Sequence, residues 1–359
     1  GWSPTATRSA GRTTRPAGWR RPSSAGPAPM RAALYRRQGP AREVLELVEM
    51  ATPEPAPGEV RVRLATSGVN PSDVKSRGGV FRRPMPFPTI VPHSDGAGVI
   101  DKVGAGVADS RVGERVWTYN AQFMRPFGTA AEYVTLPAAQ AVRLPDRAGF
   151  DVGACLGIPA LTAHRGVTLF GPVAGLTVLV QGGAGAVGHY AVQIAKAKGA
   201  TVIATVSSEA KARHAREGGA DHTVNYRSEN IAERVREITR GAGIDRIVEV
   251  DFSANSNTYA GILGRRAKIA VYGSGNAPAT MSVGGFVNIE PTIQFYIVYQ
   301  LDPEPLRAGI AELTAMIEQG ALTHSVARRL PLAEIAAAHE AVEGGAVMGN
   351  VVVDIAALA

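Results

Sequence analysis

The sequence predicts an α/β protein in which a doubly wound parallel sheet is joined to a second, mostly β domain. Three observations lead to this prediction: a glycine-rich turn between an apolar run and a helical run, further alternation of such runs after it, and short strand-like runs broken by Gly and Pro before it. With 359 residues, 45% of them hydrophobic, the chain is long enough for two domains with separate cores.

The first 29 residues form a basic segment that is rich in Pro, Gly, Ser and Arg and lacks apolar periodicity. This composition predicts a disordered tail, which we expect to be a tag, a mis-started segment or a transit-like segment. The tail has no acidic residue, so the rest of the chain is close to neutral although the whole chain carries +7. We therefore expect no nucleic-acid partner. The basic residues of the tail are Arg8, Arg12, Arg15, Arg20 and Arg21.

The segments on either side of the central region predict a small β domain. Residues 30–153 contain strand-like runs such as RVRLAT and AEYVTL between frequent Gly and Pro, which is typical of antiparallel strands. Residues 302–359 contain two runs with helical apolar spacing and then NVVVDI, which predicts a closing strand.

Residues 154–301 alternate apolar runs with helical segments. The apolar runs TVLVQ, TVIATV, HTVNY, RIVEV and KIAVYG are almost continuous, as expected for strands that are covered by helices on both faces. Alternation of this kind predicts a doubly wound parallel sheet.

The glycine turn predicts a dinucleotide site. Its pattern is G-x-G-x-x-G, and it lies between the strand-like TVLVQ and the helical YAVQIAKAKGA. Glycines in this context let the backbone turn tightly and approach a pyrophosphate at the positive end of the helix. The residues predicted to bind the cofactor here are Gly182, Gly183, Ala184, Gly185, Ala186, Val187 and Gly188.

The end of the next strand predicts that the cofactor is NADPH. An NAD site usually has Asp or Glu here to accept a hydrogen bond from the ribose 2′-hydroxyl. This chain has Ser207 and Ser208, with Lys211 and Arg213 just beyond. Hydroxyls and a cation suit a 2′-phosphate, whereas a carboxylate would repel it. Glu209 lies past the usual position and keeps NAD open as an alternative.

The cysteine content and the length of the apolar runs indicate where in the cell the protein resides. Cys155 is the only cysteine, so no intramolecular disulfide can form, and a reducing, cytoplasmic location is expected. No uninterrupted apolar run reaches the roughly 18 residues that a membrane helix needs, and we expect no membrane span.

From Met30 onward the chain resembles the zeta-crystallin-like NADPH:quinone oxidoreductases, a zinc-free branch of the medium-chain dehydrogenase/reductase superfamily. The resemblance implies a GroES-like catalytic domain made of residues 30–153 and 302–359, a Rossmann domain of residues 154–301, and a homodimer. The motifs that carry it are SGVNPSD (67–73), PHSDGAGVIDKVGAGV (92–107), ACLGIPALTAHRGV (154–167), VLVQGGAGAVG (178–188), GIDRIVEV (243–250) and AHEAVEGG (338–345).

The resemblance also implies positions for the site residues. Asn70 and Thr162 would lie near the nicotinamide, and Lys211 and Tyr226 would flank the 2′-phosphate. The segment around Gly273 and Ser274 would line the nicotinamide end.

The chain departs from the family pattern in three places. Phe81 stands where members often have Tyr, Gly349-Asn350 replaces a Gly-Lys pair, and the segment 120–130 is longer than in the simplest members. The first puts in doubt a tyrosine contact with the substrate, and the second removes a possible cation near the cofactor.

No metal site is expected. By the motif match, Asn70, Ser94 and Ile158 stand where zinc-dependent relatives have Cys, His and Cys. His93 is one residue off and Cys155 three, so we expect a hydrogen-bonding histidine and a core cysteine. These residues cannot assemble a tetrahedral N/S site.

Without a metal, quinone reduction by NADPH is the predicted reaction, with reduction of an enoyl or alkenal acceptor as the alternative. Both products delocalise the developing negative charge. Asp73 is expected to orient Asn70 or to cap the following turn, and Tyr119 is a candidate proton donor. A non-catalytic NADPH-binding or RNA-associated protein is a remote alternative.

Overall fold

The structure, a computed structural model, describes residues 28–273, 275 and 278–358. Nearly all of the predicted basic tail, and Ser274, therefore lie outside the described residues.

Fifteen strands and eleven α-helices alternate along the described chain. The strands are β1 Pro29–Leu34, β2 Glu46–Ala51, β3 Glu59–Val69, β4 Asp95–Val103, β5 Arg115–Thr118, β6 Tyr133–Pro137, β7 Ala141–Arg143, β8 Thr177–Val180, β9 Thr201–Val206, β10 His222–Asn225, β11 Ile244–Glu249, β12 Leu263–Val271, β13 Thr292–Phe295, β14 Val326–Pro331 and β15 Asn350–Asp354. The helices are α1 Ala41–Val44, α2 Pro71–Gly78, α3 Phe150–Gly153, α4 Leu161–Thr168, α5 Ala186–Ala197, α6 Glu209–Glu217, α7 Ile231–Thr239, α8 Phe252–Asn255, α9 Val283–Val287, α10 Pro303–Glu318 and α11 Ile335–Glu343.

The central sheet has six parallel strands in the order β10-β9-β8-β11-β12-β13. Alternate residues of β8 enter different apolar clusters: Val178 belongs to the cluster that contains Tyr190 of α5, and Leu179 to the cluster that contains Val235 of α7. Because both faces of the strand are covered, its continuous apolar sequence is explained. The predicted doubly wound sheet is confirmed.

The second sheet is mostly antiparallel and has the order β14-β15-β3-β4-β5-β7, with β6 also paired to β3. Its C-terminal strand β15 pairs antiparallel with β3, so that Val351 faces Val69. Strands from both ends of the chain thus share one sheet. The exact boundaries at residues 153/154 and 301/302 stay predictions.

The register of β15 against β3 brings two distant segments to one place. Residues 69–71 end β3 and begin α2, while residues 349–351 begin β15. Both segments lie beside the carboxyl ends of the parallel strands, where open α/β sheets bind ligands. Within the described part of the chain, no helix has the length and hydrophobicity needed to cross a membrane.

Candidate active site

A cleft of about 360 Å³ lies between the two sheets. One wall consists of the glycine turn and the ends of β9, β11 and β12. The other consists of residues 69–71, at the end of β3, and of the segment that joins α11 to β15.

Close packing explains the glycines of the turn. Gly182 has a φ of +68°, which disfavours a side chain. A Cβ at Gly183 would lie 2.6 Å from Cβ of Ala204, and a Cβ at Gly188 would lie 2.1 Å from the carbonyl oxygen of Gly182. The turn is therefore pressed against β9 and the start of α5, whose first N–H groups have no partner within the helix. This cradle fits a pyrophosphate.

The end of β9 gives the cleft a polar, cationic corner. Ser207, Lys211 and Tyr226 line it, and the ring of Tyr226 is exposed. No ion pair engages Lys211 among the described residues. Ser208 begins α6, where its hydroxyl accepts a hydrogen bond from the Lys211 backbone N–H at 3.2 Å. An unpaired ammonium beside hydroxyl groups suits a 2′-phosphate.

Glu209 is the acid that left NAD as an alternative cofactor. It forms an ion pair with Arg216 on the same helix. It is not among the residues that line the cleft. The geometry therefore gives no support to a carboxylate at the ribose position.

At the other end of the cleft, Asn70 is held by two buried acids. Its side-chain Nδ2 donates to Oδ2 of Asp95 at 2.8 Å, and its backbone N–H donates to Oδ2 of Asp73 at 2.8 Å. The backbone N–H of Ile158 also donates to the Asp95 carboxylate, at 3.0 and 2.9 Å. Asp73 thus caps the first turn of α2, the second of its two predicted roles.

Burial dominates the electrostatics of these acids. It raises the pKa of Asp73 to about 7, and hydrogen bonds from Asn70 oppose the shift. It also raises the pKa of Asp95 well above its usual range, against the hydrogen bond from Ile158. A buried carboxylate that accepts several N–H groups is compensated only while those donors stay in place.

Two other predicted residues lie away from the cleft walls. Thr162 is buried on α4, where its carbonyl oxygen accepts a hydrogen bond from the Tyr296 hydroxyl at 2.7 Å. Tyr119 is also buried, and its hydroxyl donates to the Ala139 carbonyl oxygen at 3.2 Å. The Tyr119 hydroxyl faces the segment around Ala139 and not the cleft. The geometry therefore does not bring Tyr119 to an acceptor bound in the cleft.

The β12 end of the cleft is built by close approach of the backbone. A Cβ at Gly273 would lie 2.3 Å from the Val250 carbonyl oxygen, while the neighbouring Tyr272 and Val250 line the cleft. Gly273 itself is not among the residues that line the cleft, and its role at the nicotinamide end stays a prediction.

Sequence reasoning missed several lining or supporting residues. Asp95 lies within PHSDGAGVIDKVGAGV (92–107), where an acid at the start of an apolar strand is an available signal. Tyr272 follows β12, and Val347 and Asn350 come from the far end of the chain. Only strand order and register place these three residues at the site.

The structure shows where the three departures from the family pattern lie. Phe81 is exposed, and it is not among the cleft-lining residues. Asn350 donates through Nδ2 to the Ser325 carbonyl oxygen at 3.0 Å. In the longer segment, Phe123 stacks on Tyr299 with ring centroids 4.9 Å apart, and the Tyr299 hydroxyl is 2.8 Å from the Ser72 hydroxyl. This segment therefore packs close to α2, two residues from Asn70.

The residues at the zinc position do not fit a tetrahedral N/S site. Asn70 and Ile158 are joined through Asp95, and His93 hydrogen-bonds Ser67 at 2.8 Å and His339 at 2.9 Å. The thiol of the buried Cys155 donates to a backbone carbonyl. In the described ranges, no group of three or more His, Cys, Asp or Glu side chains is arranged to hold a metal ion.

Comparison with protein families agrees with this architecture. Residues 56–146 match the alcohol dehydrogenase GroES-like domain, and residues 186–315 match the zinc-binding dehydrogenase family. The fold and the cleft define a two-domain medium-chain dehydrogenase/reductase.

Two characterised relatives extend the assignment. A 2-haloacrylate reductase from a Burkholderia species is 33% identical over 337 residues, which cover 90% of this chain and 98% of the relative. A quinone oxidoreductase from Pseudomonas aeruginosa is 34% identical over 308 residues, covering 83% and 91%. The chain belongs to the quinone oxidoreductase family of medium-chain reductases, so the family predicted from the motifs is confirmed. It is an NAD(P)-dependent oxidoreductase.

Solved structures show the same fold. A mycobacterial protein in complex with NADPH has a TM-score of 0.80 and 29% identity, covering 90% of this chain and 99% of that one. A structure described as an NAD-dependent alcohol dehydrogenase has a TM-score of 0.84 and 32% identity, covering 91% and 100%.

Proposed function

We propose that this protein reduces quinones with NADPH and does so without a metal. The observation that carries the proposal is the make-up of the cleft. Lys211, which has no ion-pair partner among the described residues, stands at one end. At the other, the Asp95 carboxylate holds the amide of Asn70, at a position where the family resemblance implies a cysteine ligand in zinc-dependent relatives.

The cofactor proposal draws on both the chain and its relatives. Ser207, Lys211 and Tyr226 favour a 2′-phosphate, and the mycobacterial structure is a complex with NADPH. The solved structure described as an NAD-dependent alcohol dehydrogenase makes NADH the competing cofactor. A comparison of the two cofactors on one preparation separates these cases.

Each part of the cleft has a task in the proposed reaction. NADPH, when bound, supplies the hydride. The glycine turn would bind the diphosphate, and Asn70 would fix the position of the reactive end by hydrogen bonding. The apolar side chains of Val69, Ile158 and Val250 line the cleft and exclude water. Catalysis then comes mainly from holding both reactants in place.

The choice of a conjugated acceptor follows from the charge that must be stabilised. Alcohol oxidation passes through an alkoxide-like oxygen with a pKa near that of water, about 15.7. Quinone reduction leaves a phenolate-like oxygen with a pKa of about 10. The difference of 5 to 6 units is roughly 7–8 kcal/mol less stabilisation to supply. A site built from amide and backbone donors therefore suits quinones.

One relative favours a second candidate function. The Burkholderia protein is named a 2-haloacrylate reductase and matches across 98% of its length. Its named acceptor carries a carbon–carbon double bond conjugated to a carboxylate. Reduction of an enoyl or alkenal acceptor would need the same hydride donor, the same cleft and no metal.

We also propose a cytoplasmic homodimer that forms through the Rossmann domains. β13 is the last strand of the central sheet, and its Phe295 and the nearby Ile297 are exposed. Edge strands of this kind can pair across a two-fold axis.

The test is a steady-state screen of quinones, enones and 2-haloacrylate, each with NADPH and NADH, before and after treatment with a chelator. We expect saturable quinone turnover that prefers NADPH and survives chelation. Turnover of simple alcohols that a chelator abolishes would contradict the metal-free reaction. Activity on 2-haloacrylate or enones, but not on quinones, would support the second candidate instead.

A further inference from the structure

Asp95 lies behind the cleft in a position built around its carboxylate. It is fully buried at the start of β4 and does not line the cleft. It accepts hydrogen bonds from the Asn70 side chain and the Ile158 backbone. Because a carboxylate only accepts, the amide nitrogen of Asn70, and not its oxygen, must face Asp95. This contact fixes which way the Asn70 carboxamide is turned.

Small neighbours make room for the carboxylate. A Cβ at Gly157 would lie 2.1 Å from Oδ1 of Asp95, and a Cβ at Gly68 would lie 3.2 Å from Cβ of Asp95. Any side chain at residue 157 would push the carboxylate aside. The position of the carboxylate is therefore set by packing as well as by hydrogen bonds.

Asp73 contacts the same asparagine in a different way. It accepts from the backbone N–H of Asn70 and caps α2, whereas Asp95 binds the side-chain amide. Loss of Asp73 would weaken the start of a helix. Loss of Asp95 would remove the partner of the Asn70 amide nitrogen and leave the carboxamide held only through the capping box at the start of α2. The two buried acids form a matched pair for experiment.

We propose that Asp95 is a positioning residue, which holds the Asn70 carboxamide in the orientation that the reactive end of the cleft requires. The inference rests on the proposed function, because Asn70 needs an orientation only if cofactor and acceptor meet there. Asp95 acts through Asn70 and contacts neither substrate.

We expect the arrangement to depend on pH. The titratable groups that affect Asp95 or are affected by it are Asp73 on α2, Cys155 ahead of α4, and Tyr299 after β13. Burial raises the pKa of Asp95 above its usual range. Because the carboxylate is the form that accepts both N–H groups, the oriented state is present at higher pH and is lost as pH falls through the raised pKa. We expect kcat to fall over the same pH range as the pH is lowered.

The first test is independent of turnover. In protein labelled with nitrogen-15 at asparagine, the side-chain amide resonance of Asn70 is followed against pH without cofactor, and Asn70→Asp identifies it. We expect a titration that Asp95→Asn removes and Asp73→Asn retains. A resonance that does not titrate, or a titration that Asp73→Asn removes, would overturn the inference.

The second test is kinetic and uses a change that leaves every carboxyl in place. We expect Gly157→Ala, like Asp95→Asn, to lower kcat about 100-fold and to change the KM for NADPH little. A misplacement of about 1 Å has an effect of about that size. Equal losses of kcat for Asp73→Asn and Asp95→Asn would contradict a special role for Asp95. If the wild type turns over no conjugated acceptor, the proposed function fails, while the resonance titration still decides the role of Asp95.

A swap of the two partners covers the case in which Asp95→Asn does not fold. The double variant Asn70→Asp with Asp95→Asn keeps one amide and one carboxylate in contact but places the charge at the cleft. We expect Tm to recover toward the wild-type value while kcat stays low. Full recovery of kcat by the swap would show that the contact matters for packing alone.

Discussion

The two ends of the cleft are built on different principles. At the β9 end, Ser207, Lys211 and Tyr226 come from one stretch of 20 residues; the first two are half-buried and Tyr226 is exposed. At the other end, Asn70, Asp95 and Ile158 come from three distant segments and are buried, joined by hydrogen bonds of 2.8 to 3.0 Å. The first end presents a charge to a ligand, and the second holds an amide in place.

This difference assigns different tasks to the two ends. A half-buried cation such as Lys211 can select a phosphorylated cofactor, but water partly screens it, so we expect its effect to be on affinity. Buried hydrogen bonds are strong in a low dielectric and costly to break, which suits the control of orientation. Changes at the β9 end should therefore alter KM for the cofactor, and changes at the buried end should alter kcat.

The glycine turn serves both ends, and its disruption should have the largest effect. Gly188→Ala would place a Cβ 2.1 Å from the Gly182 carbonyl oxygen. We expect the Kd for NADPH to rise more than about 100-fold, roughly 3 kcal/mol, as measured by fluorescence titration. Gly261→Ala, whose Cβ would meet only Ala232 at 3.6 Å, serves as the control. Unchanged binding in Gly188→Ala would remove the turn from the site.

Lys211→Ala tests the β9 end. A charge-assisted hydrogen bond contributes about 1.5–3 kcal/mol, so we expect the KM for NADPH to rise roughly 10- to 100-fold, with little change for NADH. Arg213→Ala changes the same helix at a residue that does not line the cleft, and should affect neither cofactor. Equal effects of Lys211→Ala on both cofactors would mean that Lys211 does not recognise the 2′-phosphate.

Glu249 tests how the burial of an acid makes the free energy of unfolding depend on pH. Burial at the end of β11 raises its pKa to about 7, against about 4.3 for an unfolded chain. At pH values between these two pKa values, Glu249 holds a proton in the folded state that it has lost in the unfolded state. The stabilisation that the buried, protonated Glu249 gives to the folded state is therefore complete below the unfolded pKa and disappears as pH rises through about 7.

Glu249→Gln should abolish that loss, because an amide keeps no titrating proton. Relative to the wild type, we expect its free energy of unfolding in urea to improve by about 1–3 kcal/mol between about pH 5 and pH 8. Glu237→Gln, an exposed surface acid on α7, is the control. Parallel curves for wild type and Glu249→Gln would show that Glu249 is not protonated in the folded state.

The smallest effect is expected at Glu209. Its ion pair with Arg216 is on the surface, and such pairs contribute about 0–1 kcal/mol. Glu209→Gln should change the ratio of kcat/KM for NADPH to that for NADH by less than about 2-fold. A large gain for NADPH would show that this carboxylate does reach the ribose.

The same contrast explains what could be predicted from the sequence. The parallel sheet and glycine turn followed from local patterns, and Ser207 and Lys211 line up because they follow one strand directly. Asp95 was missed because its partners lie 25 and 63 residues away. Tyr119 shows a different limit: a residue after a strand can face either side, and packing turned its hydroxyl toward Ala139.

We propose that this cleft passes a hydride from NADPH to a conjugated acceptor without a metal. A single-turnover experiment examines this step, in which chelator-treated protein loaded with NADPH is mixed rapidly with a quinone. We expect fast, saturable loss of NADPH absorbance that is much slower with NADH. No reaction until zinc is restored, or equal rates with the two cofactors, would contradict it.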